Sequence, residues 1–406
     1  VTEYLGDVAD LFSGGGGMSY GFCAHPAFDI IGAADAEIGK PSTGHGAIGC
    51  NSTYEANMKV RPLAVDLSKV DASVVASGWF EGRSSDLKVL LACPPCTGFS
   101  RAVHTNYVAD DPRNGLVARV AEFVEALNPQ LLFMENVPQL INGNFRSHYL
   151  TLRGRLEELG YKVHADVHRL DRFGLPQIRE RALIIAAKKD LPLYTMDDLW
   201  GDWRAEPAAT TVRRAIGALP HVVSGETHPD DSAHTSTLLA GESLERLQAI
   251  PRDGGSWPDL FRDKSKQKFL IPSMWTAVER GRLNSYRDVY GRMSWDRPAP
   301  TIKRECSHIG NGRYAHPEQD RQCTVRELAV LQGFPRTYKF TGGSRKNLYR
   351  QVGDAVPPIV SYQLASLAAW MLSGNRPEME QIVLPETSLR VEDLVRRGAQ
   401  MAIDSC

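Results

Sequence analysis

The chain shows no surplus of one charge. Its 406 residues carry 47 Lys and Arg against 48 Asp and Glu, a formal net of −1. A molecule-wide basic field for nucleic acid or anionic lipid is therefore absent. Cysteine is sparse: seven residues, an odd number without framework spacing, which points to a reducing compartment. No apolar run approaches membrane-spanning length. The first residues, Val1-Thr2-Glu3-Tyr4, lack the basic-then-apolar pattern of a secretion signal. The expectation is a soluble, cytoplasmic, monomeric protein with no membrane partner. There is no internal repeat and no low-complexity segment. A dinucleotide fingerprint is also missing: in Phe12-Ser13-Gly14-Gly15-Gly16-Gly17 the third glycine of G-x-G-x-x-G would fall on Ser19.

What is present is strand–helix alternation. Val8–Phe12, Phe28–Ala34, Leu131–Met134 and Ala182–Ala187 read as strands. Val117–Leu127 and Leu150–Leu159 read as helices, the second stopped by Gly160. This alternation predicts an α/β protein with a doubly wound, largely parallel sheet. After Leu191 the periodicity lapses until about Arg292. It then returns with a helix from Thr324, a capping box with Glu327, and a last long helix over Ile359–Leu372. The expected division is a catalytic domain over 1–191, a smaller irregular domain over 192–290, a return over 291–372, and a polar tail over 373–406.

The near-zero net charge hides a local bias. Phe261–Arg304 holds eleven basic residues against four acidic, among them Lys264, Lys266, Lys268, Arg280 and Arg282. Trp275, Tyr286 and Tyr290 lie between them. Basic residues among aromatics suit phosphate contact and base stacking; a solvated charged face has the same composition.

Four short motifs could carry chemistry. In Val89-Leu90-Leu91-Ala92-Cys93-Pro94-Pro95-Cys96, two prolines fix the backbone between an apolar strand and a thiol. Such a placement suits a nucleophile at the carboxyl end of a buried strand. Cys93 and Cys96 also form a C-x-x-C, but no second ligand pair at zinc spacing accompanies it, so no metal is expected. Glu135-Asn136-Val137-Pro138 follows four apolar residues, a setting in which a carboxyl can serve as a proton donor. Arg179 and Arg181 alternate and so point to one face, where two guanidiniums can hold a carboxylate and a polar ring. The glycine turn, followed by Asp35 and Asp66 at the ends of the next apolar runs, suits a ligand with a ribose and an adenine but no phosphates.

Taken in order, these motifs resemble the cytosine-C5 DNA methyltransferase family. They are Asp10-Leu11-Phe12-Ser13-Gly14-x-Gly16-Gly17, Pro95-Cys96-Thr97-Gly98-Phe99-Ser100, Glu135-Asn136-Val137, Gln177-x-Arg179-x-Arg181, Leu331-Gln332-Gly333-Phe334-Pro335 and Gln351-Val352-Gly353-Asp354-Ala355-Val356-Pro357. The resemblance implies a Rossmann-like methyltransferase sheet with a target-recognition domain. It implies S-adenosylmethionine as cofactor, double-stranded DNA as substrate, and flipping of a cytosine out of the duplex. A cognate restriction endonuclease is an implied candidate partner. By the same resemblance Cys96, set by Pro95, adds to C6 of the ring, Glu135 engages N3, and Arg181 with Arg179 supports them. Phe12, Ser13, Gly14, Gly16, Gly17, Asp35, Asp66, Leu67, Asp354 and Ala355 would bind the cofactor, with Glu37 as substitute for Asp35 at the ribose. Ser100, Arg113, Gln177, Lys264, Lys266, Lys268, Arg280 and Arg282 would contact DNA.

This chain departs from the family pattern in places. Thr97 stands where Gln is usual, and Asp354 where Asn is usual, beside the cofactor's methionine end. A carboxylate there repels the cofactor's own carboxylate and attracts its amino group. Two other readings stay open at this level: a tRNA cytosine methyltransferase on the same fold, and a DNA-binding relative without turnover.

Overall fold

The structure is a computed structural model that describes residues 3–38, 48–80, 86–95, 110–283 and 286–396. Cys96, Thr97 and Ser100 lie outside the described residues. Six strands form the central sheet: β1 (Gly6–Leu11), β2 (Phe28–Ala34), β3 (Leu87–Ala92), β4 (Leu131–Asn136), β5 (Tyr161–Arg169) and β6 (Glu180–Lys188). Their spatial order is β2-β1-β3-β4-β6-β5. β1 to β4 pair in parallel, whereas β6 runs antiparallel to both β4 and β5. The sheet is thus largely parallel, with one reversed strand that hydrophobic pattern alone does not reveal. β5 is hard to read in the sequence because its residues are mostly half-exposed and include two histidines, an aspartate and an arginine.

In the first half the helices are α1 (Gly17–Ala24), α2 (Cys50–Met58), α3 (Ala72–Phe80), α4 (Gly115–Leu127), α5 (Gln139–Asn142) and α6 (Ser147–Glu158). Alternate residues of each strand enter opposite cores, as period-2 geometry requires. Val8, Leu91 and Phe133 join the layer that contains Phe22 of α1. Ala9, Leu90 and Leu132 join Val75 of α3, Val120 of α4 and Leu152 of α6 on the other face. The result is the expected three-layer, doubly wound architecture.

The second half contains the short helices α7 (Met196–Trp200), α8 (Val212–Ile216), α9 (Gly241–Ala249), α10 (Trp257–Arg262) and α11 (Pro272–Glu279), then α12 (Val325–Leu331), α13 (Arg345–Asp354) and α14 (Pro358–Ser373). Its short strands are β7 (Trp203–Ala205), β8 (Thr227–His228), β9 (Asp231–Thr235) and β10 (Leu394–Arg396). A separate small core runs from Leu239 through Trp257 and Tyr290 to Ala315. Met196, Trp200, Val212 and Ala233 belong instead to the large core. That small core, the third hydrophobic cluster, spans 239–315. The segment after Ser373, expected to be an uninformative tail, also packs: Met379, Ile382 and Leu389 enter the large core, and β10 pairs antiparallel with β7. One window within Arg345–Ser373 is apolar enough to cross a membrane by composition, but 83% of it is buried in the protein.

Two buried carboxyls show how partner charge decides the sign of a pKa shift. Asp10, at the end of β1, is 1% exposed and accepts from the Ser19 hydroxyl at 2.5 Å. Burial raises its pKa to about 8, against the opposing Ser19 hydrogen bond. Glu327 is equally buried, and burial pushes it up too. There the Arg321 guanidinium, bonded to both carboxylate oxygens at 2.7 and 2.8 Å, outweighs burial and holds the pKa at about 2. Glu327 also closes the capping box of α12 with Thr324, as its spacing predicts.

Asp10 ionises in the unfolded chain near pH 4 but in the folded protein only near pH 8, so it destabilises the fold increasingly across that window. The Tm of Asp10→Asn relative to wild type is expected to be higher at pH 8 than at pH 5 in thermal melts. Glu327 contributes stability above its unfolded pKa that is lost as pH falls towards 2. Glu327→Gln is expected to cost about 3–5 kcal/mol in urea unfolding at pH 7, because it strands a buried guanidinium. That penalty should shrink below pH 4.

Candidate active site and cofactor cleft

The carboxyl ends of β1 to β4 open on one edge of the sheet, and the strand order reverses between β1 and β3. In open α/β sheets ligands bind at such a switch point. A cleft there is lined by Phe12, Ser13 and Gly14 after β1, Asp35 after β2, Asp66 and Leu67, Cys93-Pro94-Pro95 after β3, Glu135 in β4, and Asp354 and Ala355 at the end of α13. Nine of the ten expected cofactor residues, all but Gly16, thus line one cleft, from four segments of the chain.

The glycine turn shows why this edge is open. Phe12 adopts a positive φ of 60°, which turns the chain sharply out of β1. A Cβ on Gly17 would overlap the carbonyl oxygen of Val356, so only glycine lets α1 start against that loop. Gly14 donates its backbone N–H to Asp35 Oδ2 at 3.0 Å, and the Glu37 N–H reaches Oδ1 at 2.6 Å. Asp35 is thereby fixed at the cleft wall. Glu37 is not among the lining residues; its carboxylate accepts from Asn51 N–H at 2.8 Å. Gly16, expected to line the cofactor, does not reach the cleft: it caps α1 beneath Met58 and Tyr338.

The cleft is acidic. Burial raises the Asp35 carboxyl against its two backbone hydrogen bonds. The Ser68 hydroxyl, at 2.6 Å, lowers Asp66. Asp354 sits at the lip of the cleft, where its side chain keeps 39% exposure yet is walled in by protein, and burial raises it to about 6 against the pull of Arg304 and Arg179. Asp10 Oδ1 and Ser13 Oγ, both lining the cleft, are shielded and have no hydrogen-bond partner among the described residues. Five carboxyls, Glu135 included, and the Ser13 hydroxyl suit a cationic, polar ligand without phosphates. A sulfonium bearing an amino acid, a ribose and an adenine meets that description.

At the other end of the cleft lies Glu135, 8% exposed. Because β6 is antiparallel to β4, its first residues lie beside the last residues of β4: Asn136 faces Ala182 and Glu135 faces Leu183. Arg181 Nε therefore approaches Glu135 Oε1 at 2.8 Å, and Arg179 Nη2 lies 4.0 Å from the same oxygen. Both arginines converge on the carboxylate, as their alternation predicts. Arg179 is also built into the scaffold, donating to the Ile302 carbonyl at 3.0 Å and the Ala355 carbonyl at 3.2 Å. Asn136 Nδ2 donates to the Pro94 carbonyl at 3.1 Å, tying the end of β4 to the prolines that precede Cys96.

The expected DNA contacts divide. Lys264, Lys268, Arg280 and Arg282 are exposed, and Lys266 is partly so. They flank Trp275, 38% exposed, and Tyr286, 80% exposed, on the lobe built around the small core. Arg113 engages Asp111 through Nε at 2.9 Å at the start of α4. Gln177 must be corrected: it is fully buried, accepts from Ile302 N–H at 2.9 Å and donates to Gln332 Oε1 at 2.7 Å. Its amide joins three segments of the catalytic core and cannot reach DNA. Arg304, which also lines the cleft, went unrecognised as a site residue because no local pattern marks it within the basic segment.

The chain is similar to several known proteins. The chain is 33% identical over 380 residues to Type II methylase M.HgiDII of Herpetosiphon aurantiacus, covering 91% of this chain and 97% of that protein. It is 30% identical to Type II methyltransferase M1.BsuMI of Bacillus subtilis, covering 90% of this chain and 80% of that one. A solved structure described as a DNA modification methyltransferase encoded within an E. coli prophage shares the fold, with a TM-score of 0.61 at 23% identity over 91% of this chain and 99% of the other. The sequence model of C-5 cytosine-specific DNA methylases matches residues 6–368, and the chain belongs to that family.

Proposed function

We propose that Cys96, Glu135 and Arg181 carry out methyl transfer to C5 of a cytosine within one short duplex DNA sequence, and that the lobe over 239–315 reads that sequence. The observation that carries this reading is the buried Glu135–Arg181 pair at 2.8 Å, beside the strand end that leads through Pro94 and Pro95 to Cys96. S-adenosylmethionine, when bound, supplies an electrophilic methyl group on a sulfonium. Phe12, Ser13, Gly14, Asp35, Asp66, Leu67 and Asp354 would hold it.

The chain's own residues account for the rest. The Cys96 thiolate forms a bond to C6 of the flipped base, and the electron pair of the C5–C6 double bond moves towards N3. Glu135 gives N3 a proton, so that C5 becomes nucleophilic rather than the ring anionic. Arg181 fixes the Glu135 carboxyl in plane and stays positive as charge shifts within the site. After methyl transfer a solvent base takes the C5 proton, the C5–H electron pair re-forms the C5–C6 double bond as the Cys96–C6 pair returns to sulfur as thiolate, and N3 gives its proton back to Glu135. Asn136 acts as a positioning residue by holding the Pro94 carbonyl. A cognate endonuclease would explain a type II enzyme of single specificity.

The direct test is expression in a host without cytosine methylation, followed by mapping of 5-methylcytosine. Methylation at one recurring short sequence is expected, and its loss in Cys96→Ser with DNA binding retained. Methylation found in RNA and not in DNA would overturn the substrate. For the reading lobe, Lys264→Ala and Arg282→Ala are each expected to weaken DNA binding and to lower the slope of log K against log salt by about one. Their affinity for S-adenosylmethionine should not change.

A further inference from the structure

Arg304 and Asp354 meet at one wall of the cofactor cleft, Nη1 to Oδ2 at 3.0 Å. The contact comes from two segments pressed together. A Cβ on Gly353 would overlap the Lys303 carbonyl, so the residues before Arg304 and before Asp354 touch through bare backbone. Asp354 ends α13, where a negative charge opposes the helix dipole and does nothing for the helix itself. The neighbouring charges are engaged elsewhere: Arg350 pairs with Glu305 at 3.1 Å, and Arg179 donates to the Ile302 and Ala355 carbonyls.

Arg304 is not used up by Asp354. Its side chain is 25% exposed at the cleft, and its Nε and Nη2, shielded in this arrangement, have no hydrogen-bond partner among the described residues, so a carboxylate in the cleft meets them once the guanidinium turns towards it. A guanidinium presents five N–H donors in a rigid fork suited to a carboxylate. Donors left unmatched beside a ligand cleft are costly unless a ligand meets them. Asp354 alone would repel the carboxylate of an amino acid. Beside Arg304 it becomes half of a pair that offers both signs to a zwitterion.

We infer that Arg304 is a specificity-determining residue that binds the α-carboxylate of the cofactor's amino-acid end, while Asp354 takes its ammonium group. The inference rests on S-adenosylmethionine occupying this cleft. It explains how a chain with Asp where relatives of its pattern carry Asn can still bind the same cofactor.

The test is calorimetric binding of S-adenosylmethionine and of its decarboxylated form, which keeps the sulfonium, the amino group and the nucleoside but lacks the carboxylate. Wild type is expected to prefer S-adenosylmethionine by about ten- to a hundredfold, the range of a charge-assisted hydrogen bond. Arg304→Gln should lose that preference by weakening only the carboxylated ligand, and Arg304→Lys should recover part of it. Equal affinity of wild type for the two ligands would overturn the inference, and needs no variant to fold. So would an Arg304→Gln variant, folded by its melting curve, that weakens both ligands alike or neither. Failure of wild type to bind either ligand would instead overturn the cofactor reading of the cleft, and this inference with it.

Discussion

The antiparallel run of β6 against β4 is the constraint on which the candidate active site depends. In an all-parallel sheet the amino end of β6 would lie at the far edge, about the length of a six-residue strand, roughly 20 Å, from the carboxyl end of β4. Reversing one strand brings Arg179 and Arg181 level with Glu135. β5 permits the reversal by pairing along the whole of β6, from Glu180 to Lys188, so that this strand has a partner on each side. The scaffold around the pair is correspondingly stiff: Arg179 and Gln177 spend their polar groups on backbone carbonyls and amides from 302, 331 and 355.

A second theme is charge held back until a ligand arrives. Asp10, Asp35 and Asp354 all have raised pKa values, each chiefly through burial, and all line one cleft. A neutral or anionic ligand would leave that burial uncompensated. A ligand with positive charge near these groups favours their ionised forms, so binding and proton release are coupled. Glu327 is the counterexample within the same fold: its cation is built in, so it has no need of a ligand and serves only to secure α12.

Much of this was legible in the chain because the signals are local. β1, β2 and β4 announce themselves as short apolar runs, and the Thr324–Glu327 box as a three-residue spacing. The ends of those strands carry Asp35 and Glu135, so the edge of the sheet that bears chemistry could be read as well. What stayed hidden depends on partners distant in sequence. Gln177 looks like a motif residue, but its role is set by Ile302 and Gln332, more than a hundred positions away. Arg304 looks like one cation among eleven until Gly353 brings Asp354 against it. The small core extends to 315 because Ile309 and Ala315 return to it after an aperiodic stretch that carries no mark of its destination.

The closure of the cleft by distant segments has a consequence for biosynthesis. The turn after β1 rests on the far end of the chain: Gly17 against Val356, Gly21 against Ser361 and Tyr362, and the Ser361 hydroxyl bonded to the Met18 carbonyl. A nascent chain on the ribosome can pair β1 to β4 early, but it has no floor for α1 until α14 has emerged. Beyond that point β10 must still meet β7. The wall of the cleft formed by Asp354, Ala355 and Val356 is likewise in place only once this part of the chain has folded. A chain interrupted before α14 would therefore carry the sheet and its strand ends without the segment that closes the turn after β1.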